Sequence, residues 1–155
     1  MFKKLLWLLF LSLWLTACDQ TQETTLANGL RVIVKQDHRS PVVVSQIWYR
    51  VGSQDEPDGV TGISHVLEHM MFKGTAKHGP NEFSRIIAEN GGRENAFTSY
   101  DYTAYFQQLE KSRLPISFEL EADRMQNLTL AEAEFRKEIK VVMEERRWRT
   151  EDQPE

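Results

Sequence analysis

The hydrophobic period of this chain changes at Gly62, and that change restricts the fold more than any other feature of the 155 residues. Upstream, apolar residues come in short β-prone runs. Thr24-Thr25-Leu26-Ala27 and Leu30-Arg31-Val32-Ile33-Val34 flank Asn28-Gly29. An Asn-Gly pair in that setting predicts a tight hairpin with positive φ at both turn positions. A third strand follows from Pro41 to Val51, dense enough in Val and aromatics to predict burial on both faces. Downstream of the Gly-, Asp- and Pro-rich segment 52–62, Ile63, Val66, Leu67, Met70 and Met71 recur at helical spacing.

The rest of the chain continues the mixture. Asn81 to Glu89 predicts a helix capped by Asn81 and stopped at Gly91-Gly92. The aromatic stretch from Asn95 to Leu109 predicts one or two strands around a turn near Asp101, and helices are predicted over 116–126 and 131–148. Strands first, then a helix, more strands and paired helices define an α+β domain. Its expected form is an antiparallel-rich sheet with helices packed on one face. Met70-Met71-Phe72 belongs to its core.

The first residues require a separate account. Lys3 and Lys4 precede an almost unbroken apolar run from Leu5 to Leu15, the length of a signal-peptide core rather than a membrane span. The run ends in Leu15-Thr16-Ala17-Cys18, which resembles a bacterial lipobox, in which the cysteine becomes the lipidated N-terminus. The expected organisation is therefore a lipoprotein leader over 1–18, a polar tether over 19–23 and a domain over 24–155. Cys18 is the only cysteine, so no intramolecular disulfide can form. A periplasm-facing chain lipid-anchored in the cell envelope follows, with Asp19 after the cysteine pointing to the inner membrane.

Composition narrows the function. A net charge of -4, with no Lys/Arg cluster interleaved with aromatics, excludes a nucleic-acid footprint. Apolar content of 41% with 27% charge is that of an ordinary folded domain.

The chemistry lies in Gly62-Ile63-Ser64-His65-Val66-Leu67-Glu68-His69. Residues four apart on a helix differ by about 40° around the axis, so His65 and His69 project side by side and can share one zinc ion. Glu68 lies within the same arc and can act as general base for a water. A catalytic zinc needs a third protein ligand, and the last helix offers Glu138, Glu144 and Glu145. Glu138 and Glu145 share a face, while Glu144 is turned about 100° from Glu145. Helix geometry alone leaves the three open. His38 and His78 lie in polar turns and are read as solvated.

His65-Val66-Leu67-Glu68-His69 resembles the inverted zinc motif of the pitrilysin, insulinase and mitochondrial-processing-peptidase family. Asn28 to Val32, Gly52-Ser53, Gly59 with Gly62, and Phe72-Lys73-Gly74-Thr75 are similar to the same family. So are Gly91-Gly92, Asn95-Ala96-Phe97-Thr98 and Asp101-Tyr102-Thr103, so that the resemblance covers Thr24 to Arg147.

That resemblance implies a metallohydrolase fold, one Zn2+ and a zinc metalloendopeptidase acting on peptides or unfolded proteins. It makes Glu145 the third zinc ligand, seven residues after Glu138, which then orients a histidine from behind the metal. It makes Asn95, Ala96 and Phe97 the strand edge that receives substrate backbone, with Phe97 lining an apolar side-chain pocket. Family members close two related halves around a chamber. The chain ends soon after Glu145, which implies a fragment or a need for a second half or partner subunit. The rival class is a non-catalytic subunit of a two-component peptidase. An S-ribosylhomocysteine lyase has a similar motif, but the leader and Asn95-Ala96-Phe97 argue against it.

Overall fold

The structure, a computed structural model, describes residues 21–150. The chain divides into two compact units, Met1–Ser40 and Pro41–Glu155. Among the described residues no helix is long and apolar enough to cross a membrane.

In the first unit, β1 (Thr21–Thr25) and β2 (Arg31–Lys35) pair antiparallel, with Thr25 opposite Arg31. The connecting turn differs from the expected two-residue hairpin. Gly29 N–H donates to the Leu26 carbonyl at 2.9 Å, and Leu30 N–H donates to Asn28 Oδ1 at 3.1 Å. Only Gly29, at φ 86°, is left-handed there; Asn28 is not. The Asn28 side chain satisfies the backbone that a primed turn would have left to cross-strand pairing, and a longer loop with a single left-handed glycine results.

The second unit is built on β3 (Val42–Tyr49), β4 (Arg93–Thr98) and β5 (Thr103–Glu110), in the antiparallel order β3-β5-β4. Four α-helices accompany them among the described residues: α1 (Ile63–Met70), α2 (Glu82–Glu89), α3 (Leu114–Asn127) and α4 (Glu132–Thr150). The α+β class with antiparallel strands and packed helices is therefore the observed one. Asn81 does precede α2, but its side chain makes no cap; it sits left-handed at φ 61° and accepts instead from Lys73 Nζ.

The two sheet faces are unlike. Thr103, Tyr105, Gln107 and Leu109 point into the helices and are 1–4% exposed. Leu109 joins Phe83 and Ile87 of α2 and Leu120 of α3 in one core cluster, each such side chain contributing about 1.5–3 kcal/mol by burial. Val66 and Met70 of α1 join Val142 of α4 in another. The opposite face carries Val42, Val44 and Trp48, which are 42–53% exposed. The expectation that β3 is buried on both faces is thus wrong. Helices cover one side of this sheet, and alternation sends every second β3 residue to the other.

A charge fills the centre of the covered side. The Arg124 guanidinium stacks over the rings of Phe83 and Tyr105, both at 4.3 Å, and is 2% exposed. Its hydrogen bonds go to Glu121 at 2.6 and 2.8 Å, and Glu121 accepts in turn from Gln107 Nε2 at 2.7 Å. Removing one partner of such a pair strands the other charge away from water. Arg124→Met is expected to cost about 3–5 kcal/mol in urea denaturation at neutral pH. The double variant with Glu121→Leu should lie closer to the parent than the single one; a loss equal to the sum of the two single losses would show that the pair is not coupled.

Candidate metal centre

α1 starts without a side-chain cap of its own, because Gly62 at its head, left-handed at φ 95°, has no side chain to accept. Glu56 supplies the missing acceptor: its carboxylate takes Gly62 N–H at 2.7 Å and Ser64 N–H at 2.9 Å. Burial alone would raise the Glu56 carboxyl, but these bonds outweigh it and hold it below the ordinary carboxylate value. The loop carrying Glu56 is fixed from the other side. Ser53 N–H and Gln54 N–H donate to the Ser99 and Tyr100 carbonyls, and a Cβ on Gly52 would lie 2.5 Å from the Tyr100 oxygen.

From this fixed start, His65 and His69 project one turn apart, their rings edge to face with centroids 4.8 Å apart. Both face α4. Glu145 Oε2 lies 3.5 Å from His65 Nε2, and Glu145 Oε1 lies 3.6 Å from His69 Nε2. His69 is turned by its other nitrogen, Nδ1, which is 3.0 Å from Glu138 Oε2. Lys73 Nζ holds the second oxygen of Glu138 at 2.9 Å. Glu144, by contrast, is exposed and pairs with Arg147.

The electrostatics suit a neutral His65 imidazole. Burial pushes His65 below its ordinary value; the Glu68 and Glu145 carboxylates pull upward, and His69 and Arg149 add to the depression. Burial raises the Glu138 carboxyl, yet the hydrogen bonds and charges of Lys73 and His69 overcome it and hold it low.

One donor atom each from His65, His69 and Glu145 falls within a mutual spacing of 4.8 Å. Tetrahedral zinc with bonds of about 2.0–2.2 Å separates its ligand atoms by about 3.4 Å. The 3.5 and 3.6 Å separations, one to each Glu145 oxygen, are close to that spacing, and a modest closure of the three side chains brings one donor atom of each onto it. Two imidazoles and a carboxylate are also a donor set that zinc takes.

Glu68 lies beside this cluster on the side of α1 that meets β4, 8% exposed. Thr98 Oγ1 donates to Glu68 Oε2 at 2.5 Å. A cleft of about 480 Å³ opens over it, lined by Glu56, His65, Glu68, Ala96, Tyr100 and Arg149 among others. β4 is an edge strand, so its outer side is free of a strand partner in this sheet. Asn95 is exposed on it and accepts from Ala96 N–H at 2.9 Å. Phe97 borders the cleft but directs its ring to the outer sheet face, against Trp48 and Tyr102, each at 5.9 Å between centroids.

This arrangement has relatives. The model of the family Insulinase (Peptidase family M16) matches residues 31–154. The chain belongs to that family. It is 43% identical over 134 residues to the zinc protease PqqE of Helicobacter pylori, covering 86% of this chain and 30% of that protein. It is 39% identical over 126 residues to the mitochondrial-processing peptidase subunit beta of Rattus norvegicus, covering 81% and 26% respectively. The crystal structure of a protease from Helicobacter pylori superposes with a TM-score of 0.83 at 42% identity, over 88% of this chain and 33% of that one. The chain thus spans about 30% of the length of its first relative. The insulinase family is one of zinc metallopeptidases.

Within this insulinase-family frame, the structure brings His65, Glu68, His69, Glu138 and Glu145 together, and sets Ala96 at the rim of the same cleft. Asn95 and Phe97 point elsewhere than Ala96 because neighbours on a strand alternate. His38 is exposed. His78 is not the solvated residue expected: it is half-buried, and its Nε2 has no hydrogen-bond partner. Cys18 and Asp19 lie outside the described residues. Sequence reasoning gave no role to Glu56, Lys73 or Thr98. Lys73 and Thr98 stood inside the family-like motifs, but only contacts across the fold give each a partner.

Lys73→Met is expected to destabilise the metal-free protein by about 1.5–3 kcal/mol at neutral pH, the range for hydrogen bonds to charged groups. Because the folded-state pKa of Glu138 is depressed, this contribution is present above the ordinary carboxylate value and disappears as pH falls through the depressed one. Urea denaturation of parent and variant from pH 7 to pH 3 should show the two curves converging in acid. A constant gap would mean that Lys73 acts through packing alone.

Proposed function

We propose that this chain carries the catalytic zinc site of an endopeptidase that cleaves peptides or unfolded protein segments in the bacterial cell envelope. The observation supporting it most directly is the convergence of His65, His69 and Glu145 at zinc spacing, with Glu68 alongside. Zinc held by those three side chains supplies a Lewis acid next to a water and a scissile carbonyl. Glu68 accepts a proton from the attacking water and returns it to the leaving nitrogen. Glu138 fixes the His69 ring through Nδ1 and leaves Nε2 for the metal. Substrate backbone adds along the free edge of β4, where Asn95 and Ala96 meet it and Phe97 offers an apolar wall.

A second homologous half or partner subunit completes the chamber. The relative named a subunit beta supports this. The same fact supports a second reading, a partner-dependent or non-catalytic subunit. Zinc content and peptide cleavage of the purified chain, alone and with its partner, separate the two. Glu68→Gln should keep its zinc and lose turnover by about 10²–10⁴. Glu145→Gln should lose zinc while Glu144→Gln keeps it. Parental turnover in Glu68→Gln would remove it as the base, and zinc retained only by Glu145→Gln would reverse the ligand assignment.

The leader supports lipidation at Cys18, placing the domain on the periplasmic side, and Asp19 favours the inner membrane. Cys18→Ser should abolish palmitate incorporation and release the chain from the membrane fraction. Labelling that survives the substitution would rule out this anchor.

A further inference from the structure

We infer that Thr98 is the positioning residue for Glu68, tying the orientation of the base to the strand that receives substrate. The inference rests on Glu68 acting as the base. Thr98 ends β4, and its hydroxyl donates to Glu68 Oε2 at 2.5 Å. Its register partner on β5 is Thr103. The Thr103 hydroxyl donates to the Val51 carbonyl at 2.9 Å, and its oxygen lies 3.4 Å from Thr98 Oγ1. With its hydrogen spent on Val51, Thr103 offers Thr98 only a neutral oxygen at 3.4 Å, and the Thr98 hydrogen goes to the nearer, charged Glu68 carboxylate at 2.5 Å. Thr103 is 4% exposed, so the Thr98 hydroxyl is backed by buried, bonded groups.

A glutamate has three side-chain torsions, and the last of them turns broadly about its axis unless a bond holds it. The Thr98 bond does, because it engages one carboxylate oxygen and leaves the other for the proton. β-Branching makes Thr98 itself stiff at χ1, so the donor keeps its direction. Ala96, two residues earlier on the same strand, lines the same cleft. A peptide laid on β4 is therefore registered against the very strand that aims the base.

The test uses the full chain, zinc-loaded and with its partner where turnover needs one. Thr98→Val preserves shape and strand preference and deletes the donor; Thr98→Ser keeps the donor. The expected result is a fall in kcat of about 10- to 100-fold for the valine variant, on the scale of small misplacements of catalytic groups. KM should stay within about twofold and zinc content should be parental. Serine should restore most of the rate. A crystal structure of zinc-loaded Thr98→Val should show the Glu68 carboxylate turned from its parental position, and Thr98→Ser should show it in place. Parental kcat in the valine variant, or an unmoved Glu68, overturns the inference. So does loss of zinc or of fold in both variants, which would make Thr98 merely structural. A fully active Glu68→Gln fails the base assignment instead, and in a chain without turnover the Glu68 position alone decides.

Discussion

An eight-residue helix is too short to persist by itself in water, so α1 exists because of what it packs against. Val66 and Met70 press it onto Val142 of α4, while Glu56 holds its first turn. The same packing sets the distance from two imidazoles to Glu145, and the same placement against β4 brings Glu68 to Thr98. Site and core are therefore not separable here. The faces of α1 alternate between apolar anchors and reactive groups, and displacing either set displaces both.

Around that helix, charges are arranged in relays. Lys73 holds Glu138, Glu138 holds His69, and His69 leaves its far nitrogen toward Glu145. Each link fixes a ring or carboxylate that would otherwise rotate, and none is fully exposed to water, so each bond keeps more of its strength. Arg124 plays a comparable part in the core, where three aromatic rings and Glu121 surround its guanidinium.

Much of this was legible in the residues before any geometry. The period change at Gly62 placed strands and helices, and the spacing of His65, Glu68 and His69 put the reactive groups on one helical arc. Arg124 was not legible. Glu121 and Arg124 are three apart on a helix, the pattern of an ordinary surface pair, and only the sheet above them makes that pair a buried one. The exposed side of β3 was misread for a related reason. A run of valines states that a strand is apolar, not how many of its faces are covered.

The sequence by itself determined the local rules: helical spacing of the histidines and the left-handed glycine at Gly29. Those follow from dihedral sterics and repeat within a few residues. Helix geometry left Glu138, Glu144 and Glu145 open, and only the family resemblance singled out Glu145. The tertiary structure sets Glu145 between both imidazoles and Glu138 behind His69, because α4 presents each carboxylate in its own direction. It also decided that Thr98, 30 residues away, meets Glu68. Partners so far apart in the chain are chosen by packing of whole elements, and no short-range pattern records that choice.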